Sequence, residues 1–284
     1  MKSESSDIIE FSSRGSVPRL AMANDISGFG RCSTTVSLPV ISVMGVQVCP
    51  IPTAILSNHL AYPYCCREDF TGRMKEYLEV WKKLGISFDG FYCGFLTDTV
   101  QFEFIQDFLD FFLPPVFLLD PVMGDHGKLY SSVTQEHCDC LKELAKRARI
   151  LTPNLTECCL LTDTPYREYW TESELDCLCQ KLKTLCPGKI VITGLEQDNV
   201  FTNICLYDNK KVTCSTPKSG ASRPGTGDLF ASILAADAVL GKDFYSSVKK
   251  AAEFVALCIK SSEEEQIPIK EGVLFEKHLK ELLS

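Results

Sequence analysis

Apolar positions along this chain alternate between two periods, and each change of period marks a boundary between strand and helix. Residues 16–25, SVPRLAMAND, form an apolar strand that ends in polar residues. A glycine loop, ISGFGR, follows it. STTVSLPVISVMG then takes helical spacing, with Ser33 as its candidate cap and Gly45 as its stop. VQVCPIPTAIL is extended, and its prolines place it at a sheet edge or strand end. SNHLAYPYCCREDFTG reads as a long loop, and long loops in compact domains are often functional. A helix over 72–84, stopped by Gly85, leads to the strand FDGFYCGFL. DTVQFEFIQDFLDFF is an amphipathic helix broken by Pro114-Pro115, and VFLLD is a wholly apolar strand. Strands of that kind lie in parallel sheets covered on both faces.

The alternation continues to the end of the chain. Helical spacing covers 134–147, ARILTPN is a strand, TECCLLTD a short helix, 172–186 a helix and KIVITG a strand. NICLYDNKKVTCS reads as a hairpin turning at Asp208-Asn209. Helices over 227–240, 243–262 and 271–282 close the chain. Strand and helix alternating in this way predict a doubly wound α/β sheet with helices on both faces, a three-layer α/β/α sandwich. No repeat, low-complexity tract or linker divides it. The expected organisation is one domain over 17–284 behind a disordered polar arm over 1–16.

Composition narrows the function. A net charge of −8 without any basic run argues against a nucleic-acid surface. No stretch nears the roughly 18 consecutive apolar residues of a membrane span. The leader MKSESSDIIEFSSRGS has no apolar core like that of a secretory signal, so a cytoplasmic protein is expected. Fifteen cysteines without a CxxC do not suggest a zinc site. Many fall at apolar positions of helices, where cysteine serves as a small hydrophobe. Buried, reduced thiols in a reducing compartment are the expectation.

The chemistry gathers where strands end. Ligands of open parallel sheets bind outside the carboxyl ends of the strands. After the first strand come Asn24, Asp25 and the SGFG loop opened by Ser27. After VFLLD comes DPVMGD with Asp120 and Asp125, and after ARIL comes TPNLTE with Thr152, Asn154 and Glu157. KIVI leads to Thr193 and Gly194, and the hairpin leads to SRPGTGDLFASIL. A glycine turn feeding a helix presents unpaired N–H groups and the positive end of a dipole, which suits an anion. Alone, Gly225-Thr226-Gly227-Asp228 is as easily an ordinary turn with a first-turn carboxylate. Asn154 is equally well a helix N-cap, Asp120 a strand-end turn, Tyr130 a packing residue and His59 a surface residue.

Taken jointly, NDISGFGRCSTTVSLPVISVMGVQVCPIPTAILSNH, DPVMGD, TPNLTE, VITG and PGTGDLFA resemble, in order and spacing, the pyridoxal/pyridoxamine kinases of the ribokinase-like superfamily. The resemblance runs from about residue 18 almost to the end. It lacks the early Gly-Gly motif of the sugar kinases, which puts it on the vitamin-kinase side. It implies a ribokinase-like fold, a homodimer, and ATP-dependent phosphorylation of the 5′-hydroxymethyl group of vitamin B6 vitamers. Gly225, Thr226 and Gly227 would form the anion hole, and Asp228 would take the hydroxyl proton, kept ionised by the helix dipole. Asp120 and Glu157 would hold Mg²⁺, with Asp125 assisting. Asn154 and Tyr130 would lie by the nucleotide. Thr152, Thr193 and Gly194 would line the phosphates and a monovalent-cation region, K⁺ being left open. Asn24, Asp25, Ser27, Asn58 and His59 would meet the vitamer, although Leu60-Ala61 replaces the family's Thr-Gly after the histidine. A hydroxymethylpyrimidine kinase, or a silent binding protein on the same fold, is the alternative.

Overall fold

The structure, a computed structural model, describes residues 17–283. The expected arm over 1–16 lies outside the described residues. Along the chain run β1 (Arg19–Ser27), α1 (Ser33–Val43), β2 (Gln47–Leu56), β3 (Arg67–Asp69), α2 (Thr71–Lys83), β4 (Gly90–Cys93), α3 (Thr99–Phe112) and β5 (Val116–Leu119). There follow β6 (Gly124–Asp125), β7 (Lys128–Leu129), α4 (Gln135–Ala145), β8 (Ile150–Leu151), α5 (Leu155–Leu161), α6 (Glu172–Leu185) and β9 (Lys189–Gln197). The last elements are β10 (Val200–Tyr207), β11 (Lys210–Pro217), α7 (Thr226–Val239), α8 (Phe244–Glu264) and two 3-10 segments, Ile269–Glu271 and Glu276–Leu282.

Nine strands form one sheet in the order β11-β10-β9-β8-β5-β4-β1-β2-β3. The six strands from β9 to β2 are parallel, while β10 and β3 run antiparallel to their neighbours. From β1 the chain moves outward to β2, then crosses back to β4 on the other side of β1. That reversal opens a crevice at the carboxyl ends of β1 and β4, the place where such sheets bind ligands.

Side chains alternate across each strand, so the sheet feeds two cores. Leu20 and Met22 of β1, with Tyr92 and Leu118, pack under α1, α7 and α8. Ala21 and Ala23, with Phe91, Cys93 and Leu119, pack under α2 to α6. Small residues on that face of β1 leave room for the aromatic side chains of α3, where Phe91 stacks on Phe108 at 4.4 Å. Three layers with helices on both faces match the expected architecture.

Several boundaries differ for physical reasons. Ser33 is the first residue of α1, not its cap; the cap position is Cys32 and makes no side-chain bond. The strand expected at ARILTPN keeps only Ile150–Leu151, because Asn154 turns the chain into α5. A second hairpin joins β9 to β10 through Asp198-Asn199, with the same left-handed Asp-Asn pair as Asp208-Asn209. The expected helix over 271–282 is 3-10 only, and Gly272 at φ 84 separates its two parts. The prolines of β2 behave as expected. Its outer partner β3 pairs only with Ala54–Leu56, leaving Pro50 and Pro52 on an unpaired edge.

All fifteen cysteines are free and ten are buried; Cys66 and Cys177 are exposed. No described helix is long and apolar enough to cross a membrane.

Candidate active site

The turn before α7 brings the GTGD stretch to the mouth of the β1/β4 crevice. Gly225 caps the helix at φ 84, and a Cβ there would overlap the Arg31 carbonyl oxygen. Both facts demand glycine. Gly227 is different: its φ is ordinary and open space lies above it. Leu229 donates to the Gly225 carbonyl as the first helical bond, so the N–H groups of Thr226, Gly227 and Asp228 have no helical acceptor. No side chain caps them. The Thr226 hydroxyl donates back to the Arg223 carbonyl at 3.0 Å, so the threonine shapes the turn.

Asp228 is anchored on both oxygens. Oδ2 accepts the Ser33 N–H at 2.7 Å and Oδ1 accepts from Asn24 Nδ2 at 3.4 Å. Asn24 is in turn fixed, because its Oδ1 accepts the N–H groups of Asp25 and Phe95, one on each side of the crevice. Lost hydration, reinforced by the charge of Asp25, pushes the Asp228 carboxyl from 3.8 up to about 6. The dipole argument made it a weak, fully ionised base. Burial outweighs the dipole, and the result is a stronger base.

Three further carboxylates share the crevice. Asp120, at the end of β5, accepts the Thr152 hydroxyl at 3.1 Å, and burial with the charge of Asp228 pushes it up to about 7. Glu157 is buried at the start of α5, where its oxygens accept the Asn154 N–H at 2.8 Å and the Met123 N–H at 3.2 Å. Burial, then the charge of Asp120, raises it well above the usual carboxylate range. Asp25 accepts the Ser27 hydroxyl at 2.9 Å and is raised by burial. The ion pairs among the described residues leave all four without a lysine or arginine partner.

Asn154 is a helix N-cap within a capping box: its Oδ1 accepts the Glu157 N–H at 3.0 Å and its Nδ2 donates to the Gly124 carbonyl at 2.9 Å. The second bond ties α5 to the β6–β7 hairpin, which the sequence pattern did not reveal. Asp125 lies in that hairpin, holding the His126 N–H, and Tyr130 follows it. The Tyr130 hydroxyl is pushed above its ordinary range by lost hydration, then by the charges of Glu157, Asp125, Asp120 and Asp228. Thr193 pairs with the strand end beside Asn154, and Gly194, at φ 69, donates to Asn203 Oδ1 at 3.1 Å.

Asn58 and His59 serve the loop that carries them. Asn58 Nδ2 donates to the Tyr64 carbonyl at 2.8 Å, closing the loop on itself. His59 is buried against Gly30 and Tyr62, accepts the Ala61 N–H on Nδ1 and places Nε2 at 2.6 Å from the Lys270 carbonyl. Both ring nitrogens are thus occupied by main-chain groups. Sequence reasoning missed the Ser33 N–H and Arg223, because a main-chain donor and a residue acting behind a loop leave no motif.

A left-handed glycine, free helix-start N–H groups and a partly dehydrated aspartate at the switch point of a parallel sheet define a kinase of the ribokinase-like superfamily. Residues 81–273 match the phosphomethylpyrimidine kinase family, and the chain belongs to that family. A Bacteroides thetaiotaomicron protein assigned to the phosphomethylpyrimidine kinases superposes with a TM-score of 0.92 at 34% identity, covering 95% of this chain and 96% of that one. An orthorhombic crystal form with pyridoxal superposes with a TM-score of 0.87 at 35% identity, over 94% and 96% of the two chains. A Schizosaccharomyces pombe protein assigned as a pyridoxal kinase is 26% identical over 75% of this chain and 71% of its own. The pyridoxal kinase of Arabidopsis thaliana is 27% identical over 68% of this chain and 65% of its own.

Proposed function

We propose that this protein transfers the γ-phosphoryl group of ATP to the 5′-hydroxymethyl group of pyridoxal, pyridoxamine and pyridoxine. The observation that carries the reading is Asp228, a carboxyl titrating at about 6 beside three unpartnered helix-start N–H groups. A general base is most effective when its pKa lies near the working pH. The vitamer hydroxyl gives its proton to Asp228 as its oxygen bonds to the γ-phosphorus, and the bridging O–P bond breaks with its electrons leaving on ADP. The turn Gly225-Thr226-Gly227 aims its N–H groups at the charge spread over the phosphoryl oxygens, the main catalytic requirement of such transfers. The pyridoxal in the Bacteroides relative supports the substrate class.

Asp120 and Glu157 fit Mg²⁺. They are buried hard oxygen donors raised by lost hydration and then by neighbouring negative charge, with no lysine or arginine paired to them. Among the described residues no three His, Cys, Asp or Glu side chains gather as a ligand set, so waters and phosphate oxygens would complete the shell. When bound, Mg²⁺ neutralises phosphate charge. By the family resemblance, Asp125, Tyr130, Asn154, Thr152, Thr193 and Gly194 would border the nucleotide side, and the last three would line a monovalent-cation region if K⁺ is used. Asn24, Asp25 and Ser27 line the vitamer side, with Asn58 and His59 shaping the loop over it. By the same resemblance the protein works as a cytoplasmic homodimer, a state that light scattering measures.

The family match favours a second reading, hydroxymethylpyrimidine as the phosphate acceptor. ADP release is followed with pyridoxal, pyridoxamine, pyridoxine and hydroxymethylpyrimidine in turn, and the products are weighed by mass spectrometry. A vitamer 5′-phosphate is expected. Turnover with the pyrimidine alone would select the second reading, and no turnover with any of the four would overturn both.

A further inference from the structure

Arg223 lies two residues before Gly225, and its side chain is only 2% exposed. Its Nη2 meets Glu263 of α8 at 2.9 Å and its Nη1 donates to the Ile267 carbonyl at 2.8 Å. The third edge of the guanidinium, Nε, is buried and has no partner. Burying an arginine with one carboxylate at its far end and one orphaned N–H is a poor route to stability. A pair with only its arginine buried gains little over solvating both charges, and an unsatisfied buried donor costs further. The Glu263 carboxylate also accepts the Ala221 N–H at 3.3 Å, and a Cβ on Gly220 would overlap its side chain. One glutamate in the last turn of α8 therefore holds both Ala221 and Arg223. The Arg223 carbonyl then receives the Thr226 hydroxyl, at the first residue of α7.

We propose that the Arg223–Glu263 pair is a latch that sets the anion hole, with Arg223 a positioning residue acting through its main chain on Thr226 and Gly227. The inference rests on the kinase reading above. A two-point anchor, to Glu263 and the Ile267 carbonyl, fixes the backbone just ahead of Pro224, whose ring already limits that bond's freedom. What remains free is the short Gly225 turn, and the latch decides where its N–H groups point. The vitamer groups Asn24, Asp25 and Ser27 belong to β1 and make no contact with the latch, so substrate binding is left alone.

The test uses the full chain with pyridoxal and ATP. Arg223→Ala is expected to lower kcat by about tenfold to a hundredfold, the effect of a misplacement on the order of 1 Å, with the KM for pyridoxal unchanged. Millimolar guanidinium should enter the space left by the side chain and restore part of kcat without raising the melting temperature. Glu263→Gln, at a half-exposed position that tolerates the change, should lower kcat in the same direction. The double variant should be no worse than Arg223→Ala. Amide hydrogen exchange should quicken in residues 220–228 and nowhere else in α7. An inactive wild-type protein would refute the kinase reading. With active wild type, a normal kcat in both single variants, or a loss with global exchange and no guanidinium rescue, would refute the latch.

Discussion

Replacing Asp228 by asparagine separates the two roles that a first-turn carboxylate can play. Were Asp228 there only to complement the helix dipole, its loss would cost ~0.3–1 kcal/mol and leave activity near normal. The structure predicts the opposite sign for stability. The folded carboxyl titrates at about 6, against 3.8 as its unperturbed value. Below 3.8 the group is protonated in both states and contributes fully; as pH rises through 6, ionisation in the unfolded chain is favoured and stability is lost. About two pH units correspond to ~3 kcal/mol as an upper bound. Residual water at this part-buried group reduces that to roughly 1–2 kcal/mol. Asparagine keeps the shape and the acceptor for the Ser33 N–H without the charge. At pH 8 the variant should therefore melt higher, by about 2–4 °C for each kcal/mol gained, and the gain should vanish by pH 4. Turnover should fall by ~10²–10⁴-fold, the contribution of a positioned base, while ADP binding measured by calorimetry stays. A variant that melts lower at pH 8 and keeps more than about a tenth of the rate would refute the reasoning.

The two glycines should part company. Gly225→Ala should lose both stability and rate, because φ 84 and the Arg31 carbonyl exclude a Cβ, whereas Gly227→Ala should lose rate with its melting temperature held or raised. Equal melting losses in the two would refute the distinction. For Asp120→Asn, the Mg²⁺ concentration for half-maximal rate should rise while stability at pH 8 does not fall, and an unchanged Mg²⁺ dependence would remove Asp120 from the metal site. In the wild type, kcat should decline as pH drops through about 6 while Asp228 takes up its proton, and a flat profile between pH 5 and 8 would exclude it as the base. Native protein should give up Cys66 and Cys177 first to a thiol reagent, with all fifteen thiols reacting after denaturation; missing thiols in the denatured, unreduced protein would mean disulfides.

What was legible in the sequence was whatever repeats along the chain. Wholly apolar runs such as VFLL gave the buried parallel strands, Gly45 and Gly85 ended helices as expected, and the order of strand-end motifs located the crevice. What was illegible depended on contacts between distant segments. The β6–β7 hairpin is two residues per strand and has no period to detect; it is fixed by Asn154 and Thr156 reaching across from α5. The histidine loop was expected to meet the substrate only through the family resemblance, since a lone loop histidine reads as well as a surface residue. Both nitrogens of His59 meet main-chain groups, the Ala61 N–H nearby and the Lys270 carbonyl more than two hundred positions away, and no sequence pattern announces the second. The second Asp-Asn hairpin, at Asp198, carried the same signal as the first and was legible in principle.

The crevice carboxylates show why local rules mislead at such a site. Each has a sound local reason to be ionised: Asp228 begins a helix, Glu157 closes a capping box, and Asp120 and Asp25 accept hydroxyls. Burial in one poorly hydrated cleft, reinforced for Asp228, Asp120 and Glu157 by a neighbouring carboxylate, opposes those local reasons, and each is raised. A fold selected for stability alone would place a lysine or arginine among them, whereas the buried guanidinium of Arg223 pairs with Glu263. The cleft therefore holds negative charge that only an incoming cation or proton can relieve. In the proposed reaction a metal ion arriving with a nucleotide would supply the first, and a hydroxyl giving up its proton to Asp228 would supply the second. The same burial and repulsion that weaken the empty fold at neutral pH would thus favour both events of the proposed transfer.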